Sequence, residues 1–144
     1  MTFDQWHTES LKAGLFKRSE WVKHKPLSLY VRCSTITPGL VELANMTSTQ
    51  KGKGGLTKFL DKYEPDVMFL VENIQNLRLA KYFLKRDYRL FCGERLMPTM
   101  IDFALSPHAA ADVEIFTRHT RRNGGYREIT NMDDFIDAAP VWES

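Results

Sequence analysis

Residues 67–71 of this chain read Val-Met-Phe-Leu-Val, a nearly unbroken apolar run of strand length. Such a run has no polar face to turn toward water, so it predicts a strand covered on both sides and set centrally in a sheet. Its neighbours repeat a different period. Leu56, Phe59, Leu60 and Tyr63 stand at i, i+3, i+4 and i+7, and Leu77, Leu79, Ala80, Phe83 and Leu84 recur at helical spacing. Both patterns predict helices with one apolar face. A helix before and after a buried strand supplies the cover that strand needs.

Residues 27–36 alternate and are rich in β-formers, Pro38-Gly39 marks a turn, and residues 40–46 return, which predicts an antiparallel hairpin. Residues 4–24 carry Trp6, Leu11, Leu15, Phe16, Trp21 and Val22 at loosely helical spacing, predicting one or two short helices that stop before Lys25-Pro26. Downstream, residues 88–92 and 100–104 read as strands with a bend at Pro98. Residues 113–116 and 126–129 flank Arg121-Arg122-Asn123-Gly124-Gly125 as the arms of a hairpin would. This order predicts an α/β (α+β) fold with a mixed sheet. The 144 residues, 43% hydrophobic and 26% charged, are enough for one packed core and unlike a disordered chain.

Charge is uneven along the sequence. Residues 1–106 hold 16 basic and 11 acidic side chains, a balance of +5, whereas residues 107–144 hold 4 and 7, a balance of −3. That suits a small anionic ligand, a nucleic acid or simply a solvated surface. Cys33 and Cys92 lie far apart in apolar strand patterns and read as buried thiols; Cys33 as a nucleophile lacks a histidine nearby in sequence. His7, His24, His108 and His119 are scattered, so no metal site is expected. With no leader pattern and no apolar run near the roughly 20 residues that span a bilayer, a cytoplasmic protein without membrane contact is the expectation.

Between the hairpin and the next helix stands Thr49-Gln50-Lys51-Gly52-Lys53-Gly54-Gly55-Leu56. Glycines there permit positive φ and close backbone approach, and the first amides of the following helix attract anions, so a pyrophosphate is one natural guest. A flexible solvated turn is the other reading. The segment matches neither G-x-x-x-x-G-K-[ST] nor G-x-G-x-x-G.

Asn76-x-x-Leu79-x-x-Tyr82-Phe83-x-x-x-Asp87-Tyr88, after the apolar strand, resembles the strand–helix signature of the GNAT superfamily of N-acetyltransferases. The glycine segment resembles that family's pyrophosphate loop, with Lys51 at the basic position, Gly54 at the first glycine, and Gly52 and Lys53 in variable places. The likeness covers roughly residues 28–105. It implies a GNAT-like, mostly antiparallel mixed sheet with one splayed parallel strand pair, residues 40–46 beside 67–71. It places an acyl-CoA-binding domain at 1–110 and a C-terminal extension, a hairpin plus acidic tail, at 111–144.

The implied cofactor is acetyl-CoA (coenzyme A). Backbone groups of Asn45, Met46 and Thr47 would pair with its pantetheine amides, amides of Lys51, Gly52, Lys53, Gly54 and Gly55 would hold its pyrophosphate, and Asn76 and Phe83 would lie near its thioester end. The implied activity is direct acetyl transfer to an amine on a small molecule or a protein. Strand alternation groups Glu42, Ala44 and Met46 on one face, where Glu42 resembles a general base; pairing with a basic neighbour is its other reading. Phe83 stands where the family has its tyrosine acid, leaving Tyr82 and Tyr88 as substitutes. Leu56 replaces a small residue, Asp87 a glycine, and the N-terminal part is short. These departures favour, as the alternative, a non-catalytic binding module for a protein or nucleic-acid partner. Arg118, Arg121 and Arg122 form a second candidate contact to nucleic acid, or a solvated tip. Nothing in the chain excludes a homodimer.

Overall fold

The computed structural model describes residues 1–13, 19–49, 54–121 and 125–137. The elements in chain order are α1 (Phe3–Lys12), β1 (Ser19–His24), β2 (Leu27–Cys33), β3 (Leu40–Ser48), α2 (Gly55–Tyr63), β4 (Met68–Ile74), α3 (Leu77–Lys85), β5 (Arg89–Cys92), β6 (Ile101–Leu105), α4 (Pro107–Ala110), α5 (Val113–Thr120) and β7 (Arg127–Ile129), with a 3-10 turn at Met132–Asp134. The strands follow the sheet order β1-β2-β3-β4-β6-β5-β7. The pairing is mostly antiparallel with β3 and β4 as the parallel pair, and helices flank the sheet, so the class is α+β with a mixed sheet as expected. By contacts the chain divides into two compact units, Met1–Phe69 and Leu70–Ser144. Among the described residues no helix is long and apolar enough to cross a membrane.

In the first unit, α1 opens with a reciprocal cap. Gln5 N–H donates to Thr2 Oγ1 at 3.2 Å and Thr2 N–H donates to Gln5 Oε1 at 2.9 Å, which satisfies two of the backbone donors that a helix start leaves open. The helix then buries Phe3, Trp6 and Ser10. Residues 19–24, expected to be helical, form a strand instead. Trp21 and Lys23 are exposed while Val22 between them is buried, a period of two that a helix cannot give. Pro26 ends β1 rather than a helix, since a proline stop does not reveal which element it stops.

The interior of this unit is aromatic. The Phe3 ring lies 5.0 Å from Phe59, 4.5 Å from Tyr63 and 6.1 Å from Phe69. His24 meets Phe59 and Tyr63 edge-on at 5.4 and 5.7 Å, and its Nδ1 is buried without a hydrogen-bond partner. Burial, reinforced by the nearby Lys62 cation, lowers the His24 pKa below its ordinary 6.5. Burial and the hydrogen bond with Asp4 push the Tyr63 phenol up.

In the second unit, Phe91 stacks on Phe103 at 5.1 Å, and Phe116 and Tyr126 close on that pair at 5.6 and 4.9 Å. The C-terminal hairpin expectation is overturned. Residues 113–116 begin α5, because the Asp112 carboxylate accepts a hydrogen bond from Ile115 N–H at 3.0 Å and so starts a helix. β7 pairs with β5, not with residues 113–116, placing Leu90 opposite Ile129. Cys33 and Cys92 are buried free thiols, as read from their surroundings.

The His24 environment fixes the sign of a pH effect. A folded-state pKa below the ordinary value means that the unfolded chain binds the proton more tightly, so this contribution to stability is intact above about pH 6.5 and lost as the pH falls below it. Tm measured between about pH 7.5 and 5 should therefore fall less in His24→Gln than in the wild-type protein. His7, also lowered by burial, shifts both proteins alike.

Candidate functional site

β3 carries the first group of candidate residues, and its ladder with β2 is irregular. Tyr30 pairs with Asn45 but Val31 pairs with Leu43, so Ala44 is an extra residue in β3. A bulge of this kind reverses the facing of everything beyond it. Glu42, opposite Arg32, therefore shares a face with Asn45 and Thr47, while Met46, opposite Leu29, turns to the other. The expectation that Glu42, Ala44 and Met46 share one face is corrected by this single insertion. Glu42 Oε2 accepts from Arg32 Nε at 2.5 Å, and the Glu42 side chain is only 14% exposed.

The glycine segment leaves β3 and opens α2. Gln50, Lys51, Gly52 and Lys53 lie outside the described residues, but both flanks of this segment meet at Pro26. Thr49 N–H and Thr49 Oγ1 donate to the Pro26 carbonyl at 3.1 and 3.2 Å. A Cβ on Gly55 would sit 3.0 Å from Pro26 Cδ and Cγ, so any larger residue there makes the proline ring give by a few tenths of an ångström. Gly54 is required for another reason. Its φ of 69° is left-handed, although nothing crowds its Cβ position. Gly54 is the N-cap of α2; among the described residues no side chain caps that end, and its first turn holds no carboxylate. Leu56, which replaces the family's small residue, is half-buried. The start of α2 thus presents backbone donors and the positive end of the helix dipole, both suited to an anion.

In the second unit, Asn76, Phe83, Asp87 and Tyr88 of the signature each have a structural job. Asn76 is the N-cap of α3, its Oδ1 accepting from Arg78 N–H at 2.8 Å and Leu79 N–H at 3.2 Å. Ala80 and Phe83 face the interior. At the far end Asp87, at the position of the resembled motif's glycine, takes the left-handed conformation, φ 66°. Tyr88 N–H donates to Phe83 O at 3.0 Å and Asp87 N–H to Leu84 O at 3.1 Å, and the Phe83 and Tyr88 rings meet at 4.8 Å. Those two hydrogen bonds and that apolar contact make a complete Schellman stop. Tyr88 is 1% exposed and Phe83 fully buried. Tyr82 is half-buried and off the interior face, so of the two phenols it is the more accessible.

Of the basic C-terminal residues, Arg118 is held by Glu114 at 2.7 Å on α5 and Arg121 caps that helix; Arg122 lies outside the described residues. Arg118 and Arg121 stand at a helix end, not at the tip of a hairpin. Sequence reasoning named Glu42 without Arg32 and the glycines without Pro26. An opposite-charge pair across adjacent strands is the signal for the first, and its register follows from the turn at residues 34–39 that joins them. Among the described residues, no three histidine, cysteine or carboxylate side chains are placed to hold a metal ion. No family model, no curated protein and no solved structure matches this chain.

The cap reading of α3 gives a graded outcome in denaturant unfolding. Asn76→Ala should cost about 1 kcal/mol and Asn76→Ser much less, since serine also caps. Asp87→Gly should stay within about 1 kcal/mol of wild type while Asp87→Val loses more.

Proposed function

We propose that the protein is an acyl-CoA-dependent N-acetyltransferase that moves an acetyl group from acetyl-CoA to an amine by direct attack. The observation that carries this reading is the start of α2, entered through left-handed Gly54 and not capped by a side chain among the described residues, beside a segment that contributes Lys51 and Lys53. Backbone donors, a helix dipole and two cations fit the doubly anionic pyrophosphate of coenzyme A. β3 leads directly into that segment, so Asn45, Met46 and Thr47 lie along the chain's approach to it.

Acetyl-CoA supplies a thioester carbonyl that is activated toward amines. The chain's own part is proton handling. Glu42, released from Arg32, accepts a proton from the incoming amine, and Tyr82 donates one to the departing thiolate, because Tyr88 is enclosed behind Phe83. A second reading has a specific basis: Glu42 held by Arg32, with Phe83 and Tyr88 both buried, also suits a non-catalytic module that keeps the scaffold for binding.

Calorimetry with acetyl-CoA tests the first reading, and no heat up to about millimolar ligand would remove it. Replacing Lys51 and Lys53 together by alanine should weaken binding about tenfold, or roughly 1.4 kcal/mol. Tyr82→Phe should lower kcat on the order of a hundredfold at unchanged affinity. Wild-type binding without transfer to any amine in a broad panel would leave the second reading standing.

A further inference from the structure

The solvent face of the β1–β2–β3 sheet is laid out in three rows. Reading across the strands, the register gives Ser19–Arg32–Glu42, then Trp21–Tyr30–Asn45, then Lys23–Ser28–Thr47. The opposite face is apolar, with Val22–Leu29–Met46 in line, and it is the side that packs into the interior. The open face thus has aromatic rings in its middle row and polar groups above and below. Trp21 is 51% exposed. The Tyr30 ring meets it edge-on at 5.4 Å, which fixes the indole while leaving it open to solvent.

The charges on this face are one-sided. The Arg32–Glu42 pair is neutral as a unit. Lys23 and Lys25 are exposed and engage in no ion pair among the described residues. Residues 19–25, Ser-Glu-Trp-Val-Lys-His-Lys, hold two lysines and one carboxylate. That carboxylate, Glu20, stands opposite Val31 in a row of the other face. An exposed indole amid unpaired cations matches a ligand with flat bases and a polyanionic backbone. A neutral sugar would use the ring but not the cations, and an acidic peptide would use the cations but not the ring.

We infer that this face binds single-stranded nucleic acid, with Trp21 as the stacking platform and Lys23 and Lys25 on the phosphates. Stacking tolerates any base and the cations read only the backbone, so binding is sequence-tolerant and salt-dependent. The face also carries Glu42, Asn45 and Thr47 of the proposed acetyl-transfer site, so the inference concerns Trp21, Lys23 and Lys25, to which that site gives no role.

Fluorescence anisotropy of labelled oligo(dT) and oligo(rU) of about twelve nucleotides, titrated with the full chain, tests it. Both strands should bind at about 50 mM salt, and a duplex of the same length should bind at least about tenfold more weakly. Trp21→Ala should weaken binding about tenfold or more while Trp21→Phe restores most of it. The double replacement of Lys23 and Lys25 by alanine should reduce the slope of log affinity against log salt by about 1.4. Circular dichroism of each variant confirms the fold. The DNA and RNA arms show which strand is preferred. Failure of either strand to bind, equal affinity for the duplex, an unchanged folded Trp21→Ala variant, or equal competition by polyglutamate would each overturn the inference.

Discussion

Between the Tyr30–Asn45 pair and the Val31–Leu43 pair, the β2–β3 ladder has to absorb Ala44, and the side-chain layout of the first unit follows from how it does so. Strand facing has a period of two, so one inserted residue exchanges inside for outside along the rest of the strand. Without it, Asn45 and Thr47 would turn inward and Met46 would face solvent. With it, Met46 joins Leu29 and Val22 on the apolar side, and Asn45 and Thr47 join Glu42, Tyr30 and Trp21 on the open side. Interior and candidate sites in this unit therefore depend on the same irregularity.

The sequence made some of this legible and hid the rest for physical reasons. The body of α3 was readable from its apolar spacing, whereas Asn76 and Asp87 drew notice only through the likeness to a motif and prove to act at the two ends of the helix. The β2–β3 hairpin was readable from its alternation. β1 was not, since six residues with one buried position, Val22, are too few to separate a period of two from 3.6. Residues 113–116 misled through their β-branched composition, although Asp112 carried a helix-start signal that its hydrogen bond to Ile115 bears out. The bulge could not be read at all. It is a property of the pairing between two strands, and no residue in β3 announces it.

The candidate site has the same division. The glycines were visible, but the reasons for them differ: Gly54 answers to its own φ, and Gly55 to a ring 29 residues earlier in the chain. Glu42 was visible, but its partner was not. The α3 signature carried a resemblance to a family of enzymes, and every one of its residues that the helix buries or caps also has a purely mechanical use. A motif can thus be kept by helix-stopping chemistry alone, and the weight of a functional reading shifts to groups that no fold requirement explains. The start of α2 and the half-open Trp21 are such groups.

Pro26 has a role beyond ending a strand. The chain departs from its carbonyl at Thr49 and comes back against its ring at Gly55. The two described flanks of the glycine segment, Thr49 and Gly55, are therefore pinned to one residue like two brackets on one post. The end of β3 and the start of α2 thus share an anchor that a change of sequence between them does not touch.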